Sequence, residues 1–219
     1  MWSSEVTNMI ITGIWETLYM TLVSTLVGYV IGLPMGIILT VSDKDGIKPN
    51  AVLYKILDVI ANIVRSVPFI ILLVLLIPFT RLVVGKSYGS TATIVPLVIA
   101  AAPYIARMVE SSLKEVDAGV IEAARSMGAS NFTIITKVML VEARTSLLVG
   151  ETITLGTILG YSAMSGAVGG GGLGAIAIRY GYTRWQTDIM IVTVILLIIL
   201  FQIFQTVGMK LADKFDHRK

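Results

Sequence analysis

The sequence predicts an all-α protein, a polytopic membrane helix bundle with five transmembrane helices. Hydrophobic residues make up 55% of the chain and charged residues only 14%, which is far more apolar than a soluble domain. Five apolar runs approach the length of about 20 residues that crosses a bilayer as helix. They lie at Thr17–Val41, Val59–Phe79, Thr91–Met108, Ser146–Ala167 and Ile189–Met209. The whole chain, residues 1–219, is interpreted as one transmembrane domain in the lipid bilayer.

The first span carries three glycines at intervals of four residues, Gly28, Gly32 and Gly36. Residues spaced in this way share one helix face, and a face without Cβ atoms allows another helix to approach closely. Tight helix packing is therefore predicted here. The apolar stretch runs on to Val41 without a small-residue cleavage site beyond it, so it is interpreted as a retained span rather than a signal peptide.

The second span contains an arginine, Arg65, three residues before Pro68. A guanidinium near the hydrocarbon costs a few kcal/mol unless it reaches the interface or finds a partner. Asp58 and Asn62, on the two preceding turns, are possible partners, and Arg65 is also close enough to the start of the span to reach the surface. The stretch Ser42–Lys55 before it is predicted to be a polar connection with a turn at Asp45-Gly46.

The third span is short and is expected to continue as helix toward the polar segment that follows. The fourth span has a GxxxG pattern at Gly156 and Gly160 and too many polar residues for a helix surrounded by lipid: Glu151, Thr152, Thr154, Thr157, Tyr161 and Ser162. Such a helix belongs inside a bundle, near a path that solutes cross. It ends in a glycine-rich stretch, Gly166–Gly174, interpreted as irregular backbone. The fifth span is almost uniformly apolar and is predicted to face lipid.

The distribution of positive charge predicts the orientation. With the N-terminus outside, the outside segments hold 4 Lys and Arg residues: Arg81, Lys86, Arg179 and Arg184. The inside segments then hold 12: Lys44, Lys48, Lys55, Arg107, Lys114, Arg125, Lys137, Arg144, Lys210, Lys214, Arg218 and Lys219. Because cytoplasmic loops are enriched in positive charge, the C-terminus and the connection at residues 109–145 are predicted to be cytoplasmic.

The cytoplasmic connection contains the one long polar run, residues 117–143, which predicts two short helices with an elbow. Asp117 can cap a helix over Ala118–Met127, and Gly128 stands where a left-handed residue ends it. Ser130 can then cap a second helix, Asn131–Ala143. The first helix offers small residues at Ala123 and Ala124 for close approach by another protein.

Composition excludes several classes of function. The chain has no cysteine and a single histidine, His217, so neither a thiolate metal site nor a cofactor site built on imidazole is expected. The net charge of +3 is small and dispersed, which argues against nucleic-acid binding. The polar segments are too short to form a catalytic domain. The chain is thus not expected to be an enzyme, and any energy source would be on a partner.

The polar run resembles a known family signature. Glu122-Ala123-Ala124, followed by three residues and Gly128, is similar to the signature loop of permease subunits in bacterial ATP-driven importers. That loop continues with Ile-x-Leu-Pro, where this chain has Val138-Met139-Leu140-Val141 and so lacks the final proline. The resemblance implies that Glu122, Ala123, Ala124 and Gly128 dock on an ATPase subunit.

Three further segments resemble the permease family of bacterial methionine importers: Arg65–Gly85, Ala101–Leu113 and Gly160–Gly174. The resemblance implies a homodimer in the cell (plasma or inner) membrane, two ATPase subunits and an extracytoplasmic substrate-binding protein. It also implies that Tyr161, Ser162, Met164 and Ser165 line or gate the translocation path. The missing proline at Val141 concerns only how the second loop helix joins the fourth span.

Other functions stay open on the sequence alone. An importer of this kind could carry another small amino acid or a sulfur compound. A stand-alone secondary transporter or channel would also have polar-streaked spans, but it would need no docking helix and no ATPase. An intramembrane enzyme would need a nucleophile with a base, or a metal cage, and the sequence shows neither.

Overall fold

Helices account for almost all of the residues that the computed structural model describes, 4–216, and no strand occurs among them. Residues 1–3 and 217–219 lie outside this range, and with them His217 and the two last cations of the charge count. The helices are α1 (Ser4–Ser42), α2 (Ala51–Ser66), α3 (Phe69–Leu75), α4 (Ile77–Val84), α5 (Ser90–Lys114), α6 (Ala118–Ser126), α7 (Asn131–Thr133), α8 (Leu140–Glu142), α9 (Arg144–Ser165), α10 (Gly172–Ile176) and α11 (Thr187–Phe215). Two π-helical segments, Ile134–Met139 and Ala177–Tyr182, join α7 to α8 and extend α10.

Four helical stretches within the described range are long and apolar enough to cross a membrane. They are Ser4–Ser42, Ser90–Lys114, Arg144–Tyr182 and Thr187–Phe215. A fifth span results only if α2 and α3 form one broken span, because the two helices are bent by 102°. The all-helical prediction is therefore confirmed, as is the extension of the third span toward the polar segment.

The second predicted span, Val59–Phe79, is not one straight helix. Helix α2 begins earlier, at Ala51, because Asn50 caps it by accepting a hydrogen bond from Leu53 N at 3.1 Å. It stops at Ser66, and Val67 is extended (φ −82°, ψ 124°), since the residue before a proline is disfavoured in helix. Pro68 then starts α3. The first turn of α2 occupies the end of the stretch Ser42–Lys55, so the polar connection predicted there is shorter than expected.

Helices α1 and α5 run parallel and form the centre of the bundle. A Cβ on Gly32 would lie 2.6 Å from the carbonyl oxygen of Ala102, and one on Gly36 would lie 2.6 Å from that of Ala106. A Cβ on Gly28 would lie 2.8 Å from the Cβ of Ala101. The predicted glycine face is thus confirmed as the surface on which α5 packs, and each step of four residues along α1 matches a step along α5.

The other long helices alternate in direction around this pair. Helix α9 is antiparallel to α5, because Ser146 Oγ hydrogen-bonds Ser112 Oγ at 3.0 Å and Gly150 faces Met108. Helix α11 is antiparallel to α9, with Thr145 Oγ1 donating to the Phe215 carbonyl at 3.3 Å. The ends of α1, α5 and α11 therefore lie with the starts of α2 and α9 at one end of the molecule, which also carries α6.

The two glycines of the fourth predicted span differ in surroundings. Gly156 lies against the ring of Phe201 on α11, whereas a Cβ on Gly160 would meet nothing within 4 Å. Only Gly156 therefore makes a close helix contact within the subunit. Helix α11 leaves most of its surface exposed, as expected for the lipid-facing fifth span.

Candidate functional site

The polar segment at residues 117–143 folds as two short helices joined by an elbow. The Asp117 carboxylate accepts from Gly119 N at 2.8 Å, and Ser130 Oγ accepts from Thr133 N at 3.2 Å. Gly128 has φ +80°, and Ala129 N donates to the Ala124 carbonyl at 3.1 Å to close the end of α6. Both predicted caps and the left-handed glycine are confirmed. Between Ile134 and Met139 the second helix is π-helical, which its sequence did not predict.

The segment presents an apolar surface outward. Met127 is 82% exposed and Phe132 75% exposed, with Val120 also exposed. Large apolar side chains exposed together commonly mark a protein interaction site. Glu122, Ala123 and Gly128 lie on the outside of the same segment.

Ala124 does not share that surface. Only 5% of it is exposed, and it belongs to the hydrophobic core cluster. Of the four residues that the family signature implies, three are thus accessible to a partner, and the small side chain of Ala124 lets α6 pack on its own subunit.

The connection between α1 and α2 holds α6 from the side. Arg125 donates to the Ile47 carbonyl oxygen at 3.0 Å. A cavity of about 510 Å³ lies beside this contact, between Asp45 of the connection and Ile121 and Glu122 of α6. The chain that leads into α2 is therefore in direct contact with α6.

An ionic network ties the connection after α1 to α2 and α5 at the same end. Arg107 bridges Asp58 on α2 and Glu110 on α5, the second at 2.7 Å, and Lys114 bridges Glu110 at 2.8 Å and Asp43 at 2.6 Å. Glu110 is 5% exposed, so its charge depends on these two cations. The Lys114 ammonium, as a hydrogen-bond donor, lowers the pKa of Asp43 below its usual value. Sequence analysis missed this network, although the spacing of Arg107, Glu110 and Lys114 on α5 could have found those three members. Asp43 and Asp58 come from segments distant in sequence, so spacing could not have joined them.

Arg65 finds a different partner from the two that its spacing indicated. Its guanidinium lies 5.8 Å from the centre of the Tyr104 ring on α5. Asp58 and Asn62 instead pair with each other at 3.1 Å, and Asn62 also accepts from Arg107 at 3.0 Å. Of the two alternatives for Arg65, pairing with Asp58 or Asn62 does not occur, because the polar face of α2 turns toward α5, and the Arg65 side chain is exposed.

The four residues implied for the translocation path have different environments. Tyr161 stacks on Phe69 of α3 with ring centres 4.4 Å apart, and Met164 is 51% exposed. Ser162 and Ser165 are buried and donate to backbone carbonyls of α9, those of Leu159 at 2.8 Å and Ser162 at 2.6 Å. Met164 is therefore exposed and Tyr161 is half-buried against Phe69, whereas the serine hydroxyls are engaged within the helix.

Met164 ends a stripe of accessible residues along α9. Ile153, Gly160 and Met164 are exposed, and Thr157 is half-buried. Their spacing of four, three and four residues places them on one helix face. Sequence reasoning named Thr157 only as one polar residue of the span, although the same periodicity could have found the stripe.

The glycine-rich stretch after α9 is held by α1 and α5. Gly89 N donates to the Gly169 carbonyl at 2.9 Å. The Glu16 carboxylate accepts from Gly172 N at 2.6 Å, and Thr17 Oγ1 accepts from Leu173 N at 2.9 Å. These contacts fix the turn in which the chain reverses beyond Met164, and Glu16 supplies an anion at the start of α10, where the helix dipole favours one.

Comparison with known proteins identifies the class. Residues 28–218 match the profile of the family described as binding-protein-dependent transport system inner membrane component. The chain belongs to this family. It is thus an inner-membrane transport component and not an enzyme, and the family resemblance that rested on the signature loop is confirmed.

Individual relatives are similar over most of their length. The probable D-methionine transport system permease protein MetI of Vibrio cholerae is 49% identical, over 99% of this chain and 96% of the relative. The D-methionine transport system permease protein MetI of Escherichia coli strain K12 is 51% identical over 72% of this chain and 73% of the relative. A solved chain described as an inward-facing conformation of the MetNI methionine ABC transporter superposes with a TM-score of 0.96 at 49% identity, covering 99% of this chain and all of that one.

Proposed function

We propose that the chain is the permease subunit of an ATP-driven methionine importer. The observation that carries this proposal is the 49% identity to a D-methionine permease over nearly the full length of both chains. Two copies would enclose the path, two ABC ATPase subunits would dock on them, and an extracytoplasmic binding protein would deliver the amino acid. One copy cannot surround an amino acid, because five helices about 10 Å wide leave no central path.

The proposed topology has five spans, with α2, α3 and α4 together forming the broken second span. The contacts support this count, since α2 starts where α1 ends and Thr80 of α4 lies with Ala92 near the start of α5. Residues 109–145 and the C-terminus would be cytoplasmic and the N-terminus outside, in agreement with the charge distribution. The apolar part of α2 that faces away from α5 would contact lipid or the second copy.

ATPase docking is proposed for the outer surface of α6 and the elbow. Glu122, Ala123 and Gly128 would contact the ATPase directly, with Met127 and Phe132 supplying apolar area. Ala124 would contribute by letting α6 lie close to its own core. The outer side of α6 is thus free for a partner while its inner side is anchored in the core of its own subunit.

Coupling from this surface to the path is proposed to run through α2. The Arg125 contact to Ile47 joins α6 to the connection before α2, and Arg107 joins α2 to α5. At its other end α2 stops at the bend that places Phe69 on Tyr161. A movement of α6 would thus be passed along α2 to a ring beside the path.

Selectivity is proposed to depend on the accessible stripe of α9 and on Tyr161 beside it. Tyr161 and Met164 form an apolar, adaptable lining that suits an unbranched thioether, and the accessible stripe from Ile153 to Met164 carries no charged side chain. Ser162 and Ser165 would shape this wall through their bonds to the backbone. A lysine or glutamate carrier would be expected to place an opposite charge there.

Uptake by the assembled complex tests the proposal. Vesicles carrying the chain, its ATPase and the binding protein should accumulate labelled D- and L-methionine only with ATP, and unlabelled methionine should compete better than histidine or cystine. Competition by another amino acid but not by methionine would overturn the substrate while keeping the importer. Uptake without the ATPase would instead indicate a stand-alone transporter.

A further inference from the structure

An exposed group of basic and aromatic side chains surrounds the turn that leads into α11, at the end of the molecule opposite α6. Its members, here called the arginine–aromatic cluster, are Arg179, Tyr180, Tyr182, Arg184 and Trp185. None of them takes part in the docking surface, the ionic network or the accessible stripe of α9. The cluster therefore needs a separate explanation.

Two cations in the cluster share one aromatic ring. The Arg184 guanidinium lies 4.7 Å from the centre of the Tyr180 ring and that of Arg179 lies 5.8 Å from it. Within residues 4–216 no carboxylate lies within 4.0 Å of either guanidinium. Two like charges that contact one ring repel each other, and an anion beside them would relieve that repulsion. Guanidinium groups match phosphate oxygens in geometry, so a phosphate is the favoured anion.

The aromatic members of the cluster indicate that it lies at a membrane surface. Trp185 is 84% exposed and its φ of +57° turns the chain into α11, a conformation that is unusual for a bulky residue. Its ring lies 6.5 Å from that of Tyr182, and exposed Trp and Tyr side chains are characteristic of the membrane–water interface. Directly below, Ile191, Ile195 and Ile198 are exposed on one face of α11, where acyl chains would lie.

We propose that the arginine–aromatic cluster binds the phosphate headgroup of an anionic phospholipid in the leaflet opposite α6. A lipid is favoured over an acidic protein surface because the cations continue into interfacial rings and then into an exposed aliphatic face. Only the assignment of that leaflet to the outside rests on the proposed topology. Lipid binding itself depends on neither the topology nor the substrate.

Lipid retention in the purified complex tests the proposal. The full chain with its ATPase is exchanged into micelles that contain equal phosphatidylglycerol and phosphatidylethanolamine, and retained lipid is counted by native mass spectrometry. Phosphatidylglycerol should be retained preferentially. Its apparent affinity should fall about fivefold for Arg179→Gln or Arg184→Gln and about thirtyfold for both. Arg184→Lys should keep most of the retention, and Arg81→Gln, at an exposed arginine near the same end, should change nothing.

Three results would overturn it. Equal retention of phosphatidylglycerol by the double variant and the parent would show that the two arginines do not contribute to lipid binding. Displacement of phosphatidylglycerol by equimolar inorganic phosphate would indicate a site for a free anion. Unchanged lipid with weaker capture of the binding protein in the double variant would assign the cluster to that partner.

Discussion

At the scale of single residues, two kinds of glycine serve different purposes in this chain. Gly128 has a left-handed backbone with open space around it, whereas Gly32 has an ordinary helical backbone and a neighbour that leaves no room for a Cβ. The first is required by conformation and the second by packing. Substitutions at the two sites should therefore fail in different ways.

Replacing Gly128 should weaken ATPase docking without removing the chain from the membrane. Gly128→Leu places a side chain on a left-handed residue, at a cost of about 1 kcal/mol, and displaces the elbow between α6 and α7. Gly128→Asn, which tolerates this conformation better, is the matched control. Reduced ATPase co-elution and uptake are expected for the leucine variant and near-parent values for asparagine. If Gly128→Leu kept the parent levels of ATPase co-elution and uptake, the elbow would not be part of the docking surface.

Replacing Gly32 should destabilise the subunit itself. A Cβ there would meet the Ala102 carbonyl oxygen at 2.6 Å and Ile105 at 2.8 Å, and overpacking of this kind costs about 1–3 kcal/mol. At Gly150 the nearest atom would be Met108 Cβ at 3.5 Å, so Gly150→Ala should be neutral or stabilising. The thermal midpoint in detergent is the measurement, and Gly32→Ala should lower it. An equal midpoint for the two alanine variants would contradict the packing argument.

At the scale of elements, α2 is the helix whose position depends most on polar contacts. Its apolar face is exposed, and its attachment to α5 relies on Tyr54, Asp58 and Asn62, whose partners are Glu110 and Arg107. The Arg107–Asp58 pair is partly buried, and removing Arg107 also leaves the buried Glu110 carboxylate with one cation fewer, which is destabilising. Helix α2 is thus expected to loosen when the network is cut, whereas α1 and α5 should stay packed through their glycine face.

A single introduced thiol can report this loosening, because the chain has no cysteine of its own. Ala61 on α2 is completely buried, so Ala61→Cys should react slowly with a small maleimide. Adding Arg107→Met should raise the labelling rate on the order of tenfold, because the free energy of local opening falls by more than 1 kcal/mol. Arg81→Met in the same background is the control and should leave the rate unchanged. Slow labelling with Arg107→Met would mean that α2 does not depend on the network.

At the scale of the whole molecule, the long helices run up and down the bundle, so their connections lie at two opposite ends. One end carries the docking surface and the ionic network, and the other carries the glycine-rich turn and the arginine–aromatic cluster. A transporter driven from the cytoplasm and loaded from outside requires such a division. The proposed orientation puts α6 on the cytoplasmic side.

Cysteine labelling in intact cells tests that orientation. Lys86→Cys, in the connection between α4 and α5, should react with a membrane-impermeant reagent, and Lys48→Cys, in the connection between α1 and α2, should react only after the cells are opened. Both lysines are exposed, so a difference in labelling reflects the side of the membrane. The reverse pattern would invert the topology.

Local chemistry determined most of what the sequence predicted correctly. Asp117, Gly128 and Ser130 act on their own or adjacent backbone, so the elbow follows from residue type and order. The glycine face of α1 was also visible, because helical periodicity fixes which side chains share a face. The apolar runs also predicted membrane-spanning helices, because that prediction needs only the length and the hydrophobicity of each run.

Tertiary structure decided which partners those faces meet. Arg107 and Glu110 stand three residues apart on α5, so helical spacing alone brings them together. Asp58 reaches Arg107 only because α2 folds back against α5 after the turn that follows α1, and no spacing in the chain encodes that encounter. The burial of Ala124, Ser162 and Ser165 likewise depends on packing between elements that are distant in sequence. Side-chain contacts between helices depend on the relative position and rotation of each helix, and these are set by the packing of the whole bundle rather than by any one segment.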